Sequence, residues 1–318
     1  MATDSGLKRS PSASAAKWMS YFSDKVSVSA LSIPGTHNSC AHYVSLPSVR
    51  CQNAPLVQQL DRGIRFLDIR LSRPFLQFCS LGQSRHELVV VHSAFPVCAY
   101  RAVTFSKVLG RVYAFLDANP SETVIMSLKH EGPFSKGRVE LADILWSGYI
   151  KGHEHRWFLE PRMPSLGEAR GKIILFRRFE CRDEQVSRFG FPATAWKYNT
   201  PGEDVTDGTV LSVQDYCEVL SPSGIDAKSS YVRQHITRAS SSNLDTLFLN
   251  FTTAANFWNP NCWPRSIATG VMSDIGKALM DSKGRCGVMV MDFPDADGWK
   301  IVRHIIDRNM DLCEQKRR

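Results

Sequence analysis

The sequence predicts an α/β fold, a distorted (β/α)8 (TIM) barrel, and three observations carry that prediction. Short β-rich runs recur along the 318 residues, eight in all. Several are almost continuously apolar, as parallel strands covered on both faces are. Helical periods separate most of them, which is the alternation a barrel needs. A hydrophobic content of 43 % is enough for one domain of that size to bury its core. A doubly wound open sheet is the alternative arrangement of the same elements.

Taken in order, residues 1–17 are rich in Ser, Ala and Lys and read as a mobile tail. Residues 18–318 read as the single barrel domain. The strand runs are SVSALSI (27–33), IRFLDIRL (64–71), ELVVVHS (87–93), TVIMSLK (123–129), KIILFRR (172–178), VLSVQDY (210–216), TLFLNFT (246–252) and GVMVMDF (287–293). Val108, Leu109, Val112, Phe115 and Leu116 fall on one face of a helix, and Ile301, Val302, Ile305 and Ile306 do the same near the end of the chain. Asn119-Pro120 stops the earlier helix. The second and third runs are joined by a stretch with weak helical signal. The fifth and sixth are joined by Gly-Phe-Pro and Thr-Pro-Gly loops, so the barrel is expected to be irregular.

Composition narrows the function. Net charge is +8, which suits an anionic partner such as a phosphate substrate or an anionic membrane surface, and equally suits an ordinary basic surface. No basic helix with interleaved aromatics appears, so nucleic acid is not an expected partner. The nine cysteines form no C-x-x-C pair, which argues against a disulfide framework or a zinc knuckle and for a reduced compartment. No run approaches the roughly 20 apolar residues that span a bilayer, and the N-terminus has no signal-peptide run. The expectation is a cytoplasmic monomer, peripheral at membranes, with export by an unusual route left open.

In a barrel the chemistry sits where strands end. The first run leads into PGTHNS with His37; the second carries Asp68 and Arg70; the third ends at His92 and the fourth at Lys129. The fifth ends in Arg177 and Arg178, the sixth holds Asp215, the seventh Asn250 and the eighth Asp292. Each alone has a structural explanation as a cap or a solvated strand end. Together, inside apolar strands, they would cost several kcal/mol each if buried unpaired, and they are tolerable around a polar ligand. Arg70, Lys129 and Arg178 favour an anion, and phosphate suits an Arg fork beside a Lys. Two histidines can then serve as base and acid, and a carboxylate such as Asp292 can fix the tautomer of the basic one.

A metal is not expected. Calcium or magnesium needs converging carboxylates, whereas here cations stand beside Asp68, and Glu131 is expected to point elsewhere. His130, His153 and His155 offer no zinc ligand set, and the last two read as a solvated loop. The loop AANFWNPNCWP (254–264) carries Phe257, Trp258 and Trp263, candidates for a bilayer interface.

The motifs IPGTHNS (33–39), QLDRGIRFLDIRL (59–71), VVHSAF (90–95), TVIMSLK (123–129), ARGKIILFRRF (169–179), SVQDY (212–216), LNFTT (249–253) and VMDF (290–293), in this order and spacing, resemble bacterial phosphatidylinositol-specific phospholipase C of the X-domain family, from residue 27 onward. That resemblance implies a metal-free phosphodiesterase with no cofactor. It would act on phosphatidylinositol or a related phospholipid and release diacylglycerol and a cyclic inositol phosphate. It implies His37 as general base held by Asp292, His92 as general acid, Arg70 with Asp68 as phosphate clamp, Lys129 nearby, and Arg178 and Asp215 at the inositol hydroxyls. Trp258 matches a membrane-touching tryptophan. Two departures stand out. Asn38 replaces an aspartate that assists the acid, as in calcium-dependent relatives. Cys217 replaces a stacking tyrosine, with Tyr216 one residue early. A calcium-dependent phosphodiesterase and a catalytically silent inositide binder are the alternatives.

Overall fold

The computed structural model describes residues 11–74, 87–132, 139–205 and 210–313. Twelve strands form one curled sheet among these residues: β1 (Ile33–Thr36), β2 (Phe66–Ser72), β3 (Val89–His92), β4 (Phe95–Pro96), β5 (Val124–His130), β6 (Trp157–Phe158), β7 (Ile173–Arg178), β8 (Phe191–Pro192), β9 (Thr200–Val205), β10 (Leu211–Asp215), β11 (Leu247–Phe251) and β12 (Val288–Met291). The main α-helices are α1 (Leu56–Asp61), α2 (Phe105–Ala118), α3 (Glu140–Leu145), α4 (Leu166–Ala169), α5 (Gly224–Ser241), α6 (Pro264–Asp281), α7 (Lys300–Asp307) and α8 (Met310–Cys313).

The barrel wall is the parallel series β7-β5-β2-β1-β12-β11-β10. Two short strands, β6 and β8, add parallel to the free edge of β7, and β9 adds antiparallel to β10. Among the described residues no ladder joins those two edges, so the barrel is open there. Seven of the eight predicted runs coincide with a strand within two residues, and six of those are staves of the barrel wall.

Two runs differ. The run 27–33 was expected as the first strand, but Val28–Ala30 is a 3-10 turn, pinned by Val28 N–H to the Pro164 carbonyl (2.9 Å) and by the Ser27–Ser29 hydroxyl pair (2.7 Å). The strand proper is IPGT, whose proline and glycine disguise it. Pro34 has no N–H to give, but its carbonyl still joins the ladder by accepting from Arg65 N–H (2.9 Å). Gly35 is required by a close approach: a Cβ there would stand 2.8 Å from Phe66 Cβ. The run 87–93 is β3, which pairs antiparallel with the end of β2 (Leu71 opposite Val90) and turns back through β4. It is a hairpin at the mouth and not a barrel stave. The stretch joining it to β2 lies mostly outside the described residues.

Residues 11–17, expected in the tail, belong to a 3-10 helical segment, Pro11–Tyr21. This segment closes the barrel floor. Trp18 is fully buried and its indole N–H donates to the Gly63 carbonyl (3.0 Å). The rest of the expected tail lies outside the described residues. The face predicted for α2 is the buried one, Val108, Leu109, Val112, Phe115 and Leu116. α7 buries Ile301, Val302, Ile305 and Ile306 in the same way. Burying such stripes stabilises by roughly 25 cal/mol per Å² of apolar surface.

Candidate active site

The C-terminal ends of the strands surround a cavity of about 640 Å³, a size suited to a small polar head group. His37, Arg70, His92, Lys129, Arg178 and Asp215 line it, together with Glu131, Trp196, Tyr198 and Cys217.

His37 follows β1 and His92 ends β3, and their ring centroids are 5.7 Å apart, edge to face. His37 Nδ1 lies 2.9 Å from Asp292 Oδ1, so the carboxylate fixes the proton at Nδ1 and leaves Nε2 as a lone pair. Asn38 Nδ2 donates to that Nε2 (3.1 Å). His92 Nδ1 donates to the Val49 carbonyl (2.9 Å). His92 Nε2 has no protein partner among the described residues and is free for a ligand. Burial, and after it the charge of Arg70, holds His37 well below the usual imidazole value, and the same two causes lower His92. Burial likewise raises the Asp292 carboxyl well above its ordinary value.

Each of these three groups is followed by a residue with positive φ: Asn38 (41°), Ser93 (55°) and Phe293 (48°). Non-glycine residues in that region cost of order 1–3 kcal/mol each and persist where the surroundings dictate them. The turns swing the chain away at the strand ends and leave the side chains at the mouth. Phe293 is held by its N–H to the Cys51 carbonyl (3.0 Å) and by Arg265 stacked 4.0 Å above its ring.

The cations are interlocked with carboxylates. Arg70 donates from Nε to Asp68 (3.1 Å) and from Nη1 to Glu131 (2.7 Å), and Lys129 Nζ donates to the same Glu131 oxygen (2.7 Å). Glu131 therefore faces the site, against expectation. It stands two residues after Lys129, on the same face of the chain, and strand alternation alone could have placed it. Its other oxygen accepts Ser93 N–H (2.7 Å). Burial opposes the charge of Glu131, but Arg70 and Lys129 outweigh it and bring the carboxyl to about 2. Asp68 is likewise held down, with Arg70 and Arg178 overcoming its burial. Lys129 is lowered by burial and by Arg70. Arg70 Nη2 has no acceptor among the described residues and remains for an anion. Arg178 lies 3.6 Å from Asp68 and 3.9 Å from Asp215, with its guanidinium 4.3 Å from the Trp196 ring centroid. Trp196 Nε1 donates to Asp215 (3.1 Å).

Two expected binding residues, Asn250 and Tyr216, are elsewhere, as is the strand-end residue Arg177. Arg177 points to the opposite face of β7 and donates to the Phe179 carbonyl (3.2 Å). Asn250 is fully buried, bridging Gln214 (2.8 Å) and the Val232 carbonyl (3.0 Å) beneath the mouth. Tyr216 stacks edge to face on Tyr231 (5.2 Å) and does not line the cavity, because consecutive strand residues face opposite ways. The aromatic wall comes instead from Trp196 and Tyr198, on a loop before β9 whose course no local pattern announces.

At the rim, Trp258 is 87 % exposed and Phe257 is 41 % exposed and stacked on Phe95 (5.3 Å). Trp263 is half-buried and donates from its indole to the Phe257 carbonyl (3.0 Å), so it braces the loop. His153 and His155 are exposed, as expected. Of the carboxylates at the mouth, Asp68 and Glu131 are already bonded to Arg70, and Asp215 accepts from Trp196. Among the described residues, His37, Cys51 and Asp292 form the one cluster with mixed metal-ligand chemistry.

The X-domain profile of phosphatidylinositol-specific phospholipase C matches residues 29–179. The chain is 26 % identical to the 1-phosphatidylinositol phosphodiesterase of Listeria monocytogenes, covering 92 % of this chain and 84 % of that one. It is also 26 % identical to the enzyme of that name from Staphylococcus aureus, covering 97 % of each. A crystal structure of the Staphylococcus aureus phospholipase superposes with a TM-score of 0.77 at 23 % identity, over 94 % of this chain and 99 % of the other. The Listeria monocytogenes structure gives 0.70 at 24 %, over 93 % and 99 %. The likeness of fold runs far past the matched profile and into the strands that carry Asp215 and Asp292.

Proposed function

We propose that this protein cleaves the phosphodiester of phosphatidylinositol, or of a glycosylated relative, at a membrane surface. The observation that carries the reading is the pair of imidazoles 5.7 Å apart across the mouth, one on a carboxylate and the other with a free Nε2, beside an arginine with one arm unused.

The inositol 2-hydroxyl attacks phosphorus. His37 Nε2 takes the hydroxyl proton once the Asn38 amide gives way, and Asp292 stabilises the imidazolium. Arg70 Nη2, aided by Lys129, stabilises the charge that develops on the phosphoryl oxygens. His92, protonated on Nε2, gives its proton to the departing glycerol oxygen. The P–O bond to diacylglycerol breaks as the P–O bond to the 2-oxygen forms, leaving a cyclic inositol phosphate. Arg178 and Asp215, with Trp196 and Tyr198 as the apolar wall, receive the sugar hydroxyls. Because Arg70 occupies both Asp68 and Glu131, the guanidinium does the work a divalent ion would do, and the reaction proceeds without metal. His92 leans on a carbonyl where the bacterial pattern has a carboxylate, so the acid is the weaker partner.

Trp258 and Phe257 beside the mouth suit a peripheral enzyme; membrane binding of the Staphylococcus aureus enzyme is the subject of two of the similar solved structures. No helix among the described residues is long and apolar enough to cross a membrane.

The test is incubation with phosphatidylinositol vesicles plus chelator, followed by phosphorus NMR. A cyclic phosphate signal is expected. Turnover that vanishes in chelator and returns with calcium would select the calcium-dependent mechanism, and vesicle binding without any product would leave only a head-group binder.

A further inference from the structure

Behind the two histidines stands a residue that the proposed reaction does not use. Cys51 is fully buried, in the loop before α1. Its sulfur is 3.8 Å from His92 Nδ1 and 3.9 Å from Asn38 Nδ2. One atom each from Cys51, His37 and Asp292 lie within 4.8 Å of one another. Asp292 Oδ2 and Asn38 Oδ1 are buried there with no hydrogen-bond partner, although Asp292 is only 1 % exposed. Thiolate, imidazole and carboxylate at this spacing are the donors of a tetrahedral zinc site, whose ligand atoms stand roughly 3.3–3.6 Å apart when metal–ligand bonds are about 2.0–2.3 Å. His37 and Asp292 are somewhat closer than that, at 2.9 Å, so a small opening of their pair admits an ion. His37 borders the cavity and provides the way in. Calcium and magnesium, which want six or more oxygens, find no such shell here.

We infer that His37, Cys51 and Asp292 form an inhibitory site for a borderline-soft divalent cation such as zinc. The inference rests on the reading of His37 as the base. Binding balances as follows. The Cys51 thiol releases one proton to solvent, and thiolate plus carboxylate neutralise the ion. The imidazole stays neutral, but its proton moves from Nδ1 to Nε2 so that Nδ1 can ligate. The Asn38 amide then rotates, and its orphaned Oδ1 accepts the new Nε2–H. The lone pair that should take the substrate proton is gone, and the tautomer that Asp292 maintained is reversed. A fourth position stays open toward the mouth. Zinc thus blocks the reaction by capturing the base from behind, without competing for the phosphate clamp.

The experiment is titration of metal-free protein with zinc chloride by calorimetry, with cobalt(II) as a spectroscopic stand-in, beside activity on phosphatidylinositol vesicles. Expected are one equivalent of zinc bound, about one proton released per ion, a thiolate-to-cobalt absorption in the near ultraviolet, and activity that falls with bound zinc and returns with chelator. Cys51→Ser should lose the absorption and bind zinc at least about tenfold more weakly, since even an outer-shell partner is worth that much. Its inhibition is read relative to its own metal-free rate. Cobalt bound without the thiolate band overturns the inference in the wild-type protein alone, whatever the variant's folding. Zinc affinity unchanged in Cys51→Ser, or abolished by His155→Ala in the exposed loop, overturns it too. Metal binding is read independently of turnover, so a protein with the zinc site and no phospholipase activity would refute the proposed function, and an active protein without the thiolate band would refute the site.

Discussion

The floor and the mouth of this barrel hold the same kinds of residue and use them oppositely. At the floor, Arg65 and Glu122 form an ion pair (2.8 Å) with both side chains fully buried. Every arm of that guanidinium is occupied: Nε and Nη2 by Glu122, Nη1 by the carbonyls of Leu60 and Ile64, and Nη2 again by Ala15 and Ala16. Glu122 also accepts Met19 N–H (3.2 Å) and the Ser121 hydroxyl (2.9 Å). This closed shell ties the N-terminal segment to the barrel. At the mouth, Arg70 has two arms engaged and one spare, and Asp68 Oδ1 and Arg178 Nη1 face each other at 3.6 Å, beyond hydrogen-bond reach and with no other partner. A saturated buried charge holds a structure together, and an unsaturated one waits for a ligand.

Reciprocal substitutions probe that contrast most strongly. Arg65→Ala leaves Glu122 buried and unpaired and should lower unfolding free energy by about 3–5 kcal/mol in urea titration, while the folded fraction keeps its kcat/KM. Arg70→Ala should do the reverse. It should lower kcat/KM by about 10²–10³-fold, the loss seen when one donor to a developing oxyanion is removed, with a much smaller change in urea midpoint. Equal loss of stability in both variants would erase the distinction.

Asn38→Asp sharpens the account of the mouth. The proposed reaction needs His37 neutral and His92 protonated, so kcat/KM should rise as pH passes the lowered value of His37 and fall as it passes that of His92, below the ordinary imidazole value of about 6.5. A carboxylate at position 38, beside His37 and, by the resemblance, an aid to the acid, should favour both imidazolium forms. The whole bell should move to higher pH by roughly one unit. A shift of the rising limb alone would show that position 38 does not serve the acid.

The smallest effect is expected at the rim. Trp258→Ala should weaken partitioning onto phosphatidylinositol vesicles roughly tenfold, and leave turnover of a soluble substrate intact. Trp263→Ala, which removes a brace, should instead lower thermal stability.

Much of this was legible without coordinates. The face of α2 follows from the 3.6-residue period, and six barrel strands follow from apolar runs that only a doubly covered sheet tolerates. His37, Asp68, Arg70, His92, Lys129, Arg178, Asp215 and Asp292 gather at one mouth because parallel strands all end on the same side. β1 was displaced because Pro34 and Gly35 contradict strand propensity, while Ser27–Ala30 imitates it. β3 was read as a stave because an apolar run does not state its direction.

The chain's own order of residues therefore determined the barrel, the polar rim and the excess of cations, since these depend on spacing along single strands. Only the tertiary structure decided that Glu131 meets Arg70 and the Ser93 N–H, that Asn38 serves His37 while His92 leans on a carbonyl, that Trp196 closes the wall, and that Cys51 stands behind both imidazoles. Those facts depend on which loops meet across the mouth, and contacts between residues tens or hundreds of positions apart leave no periodic trace in the sequence.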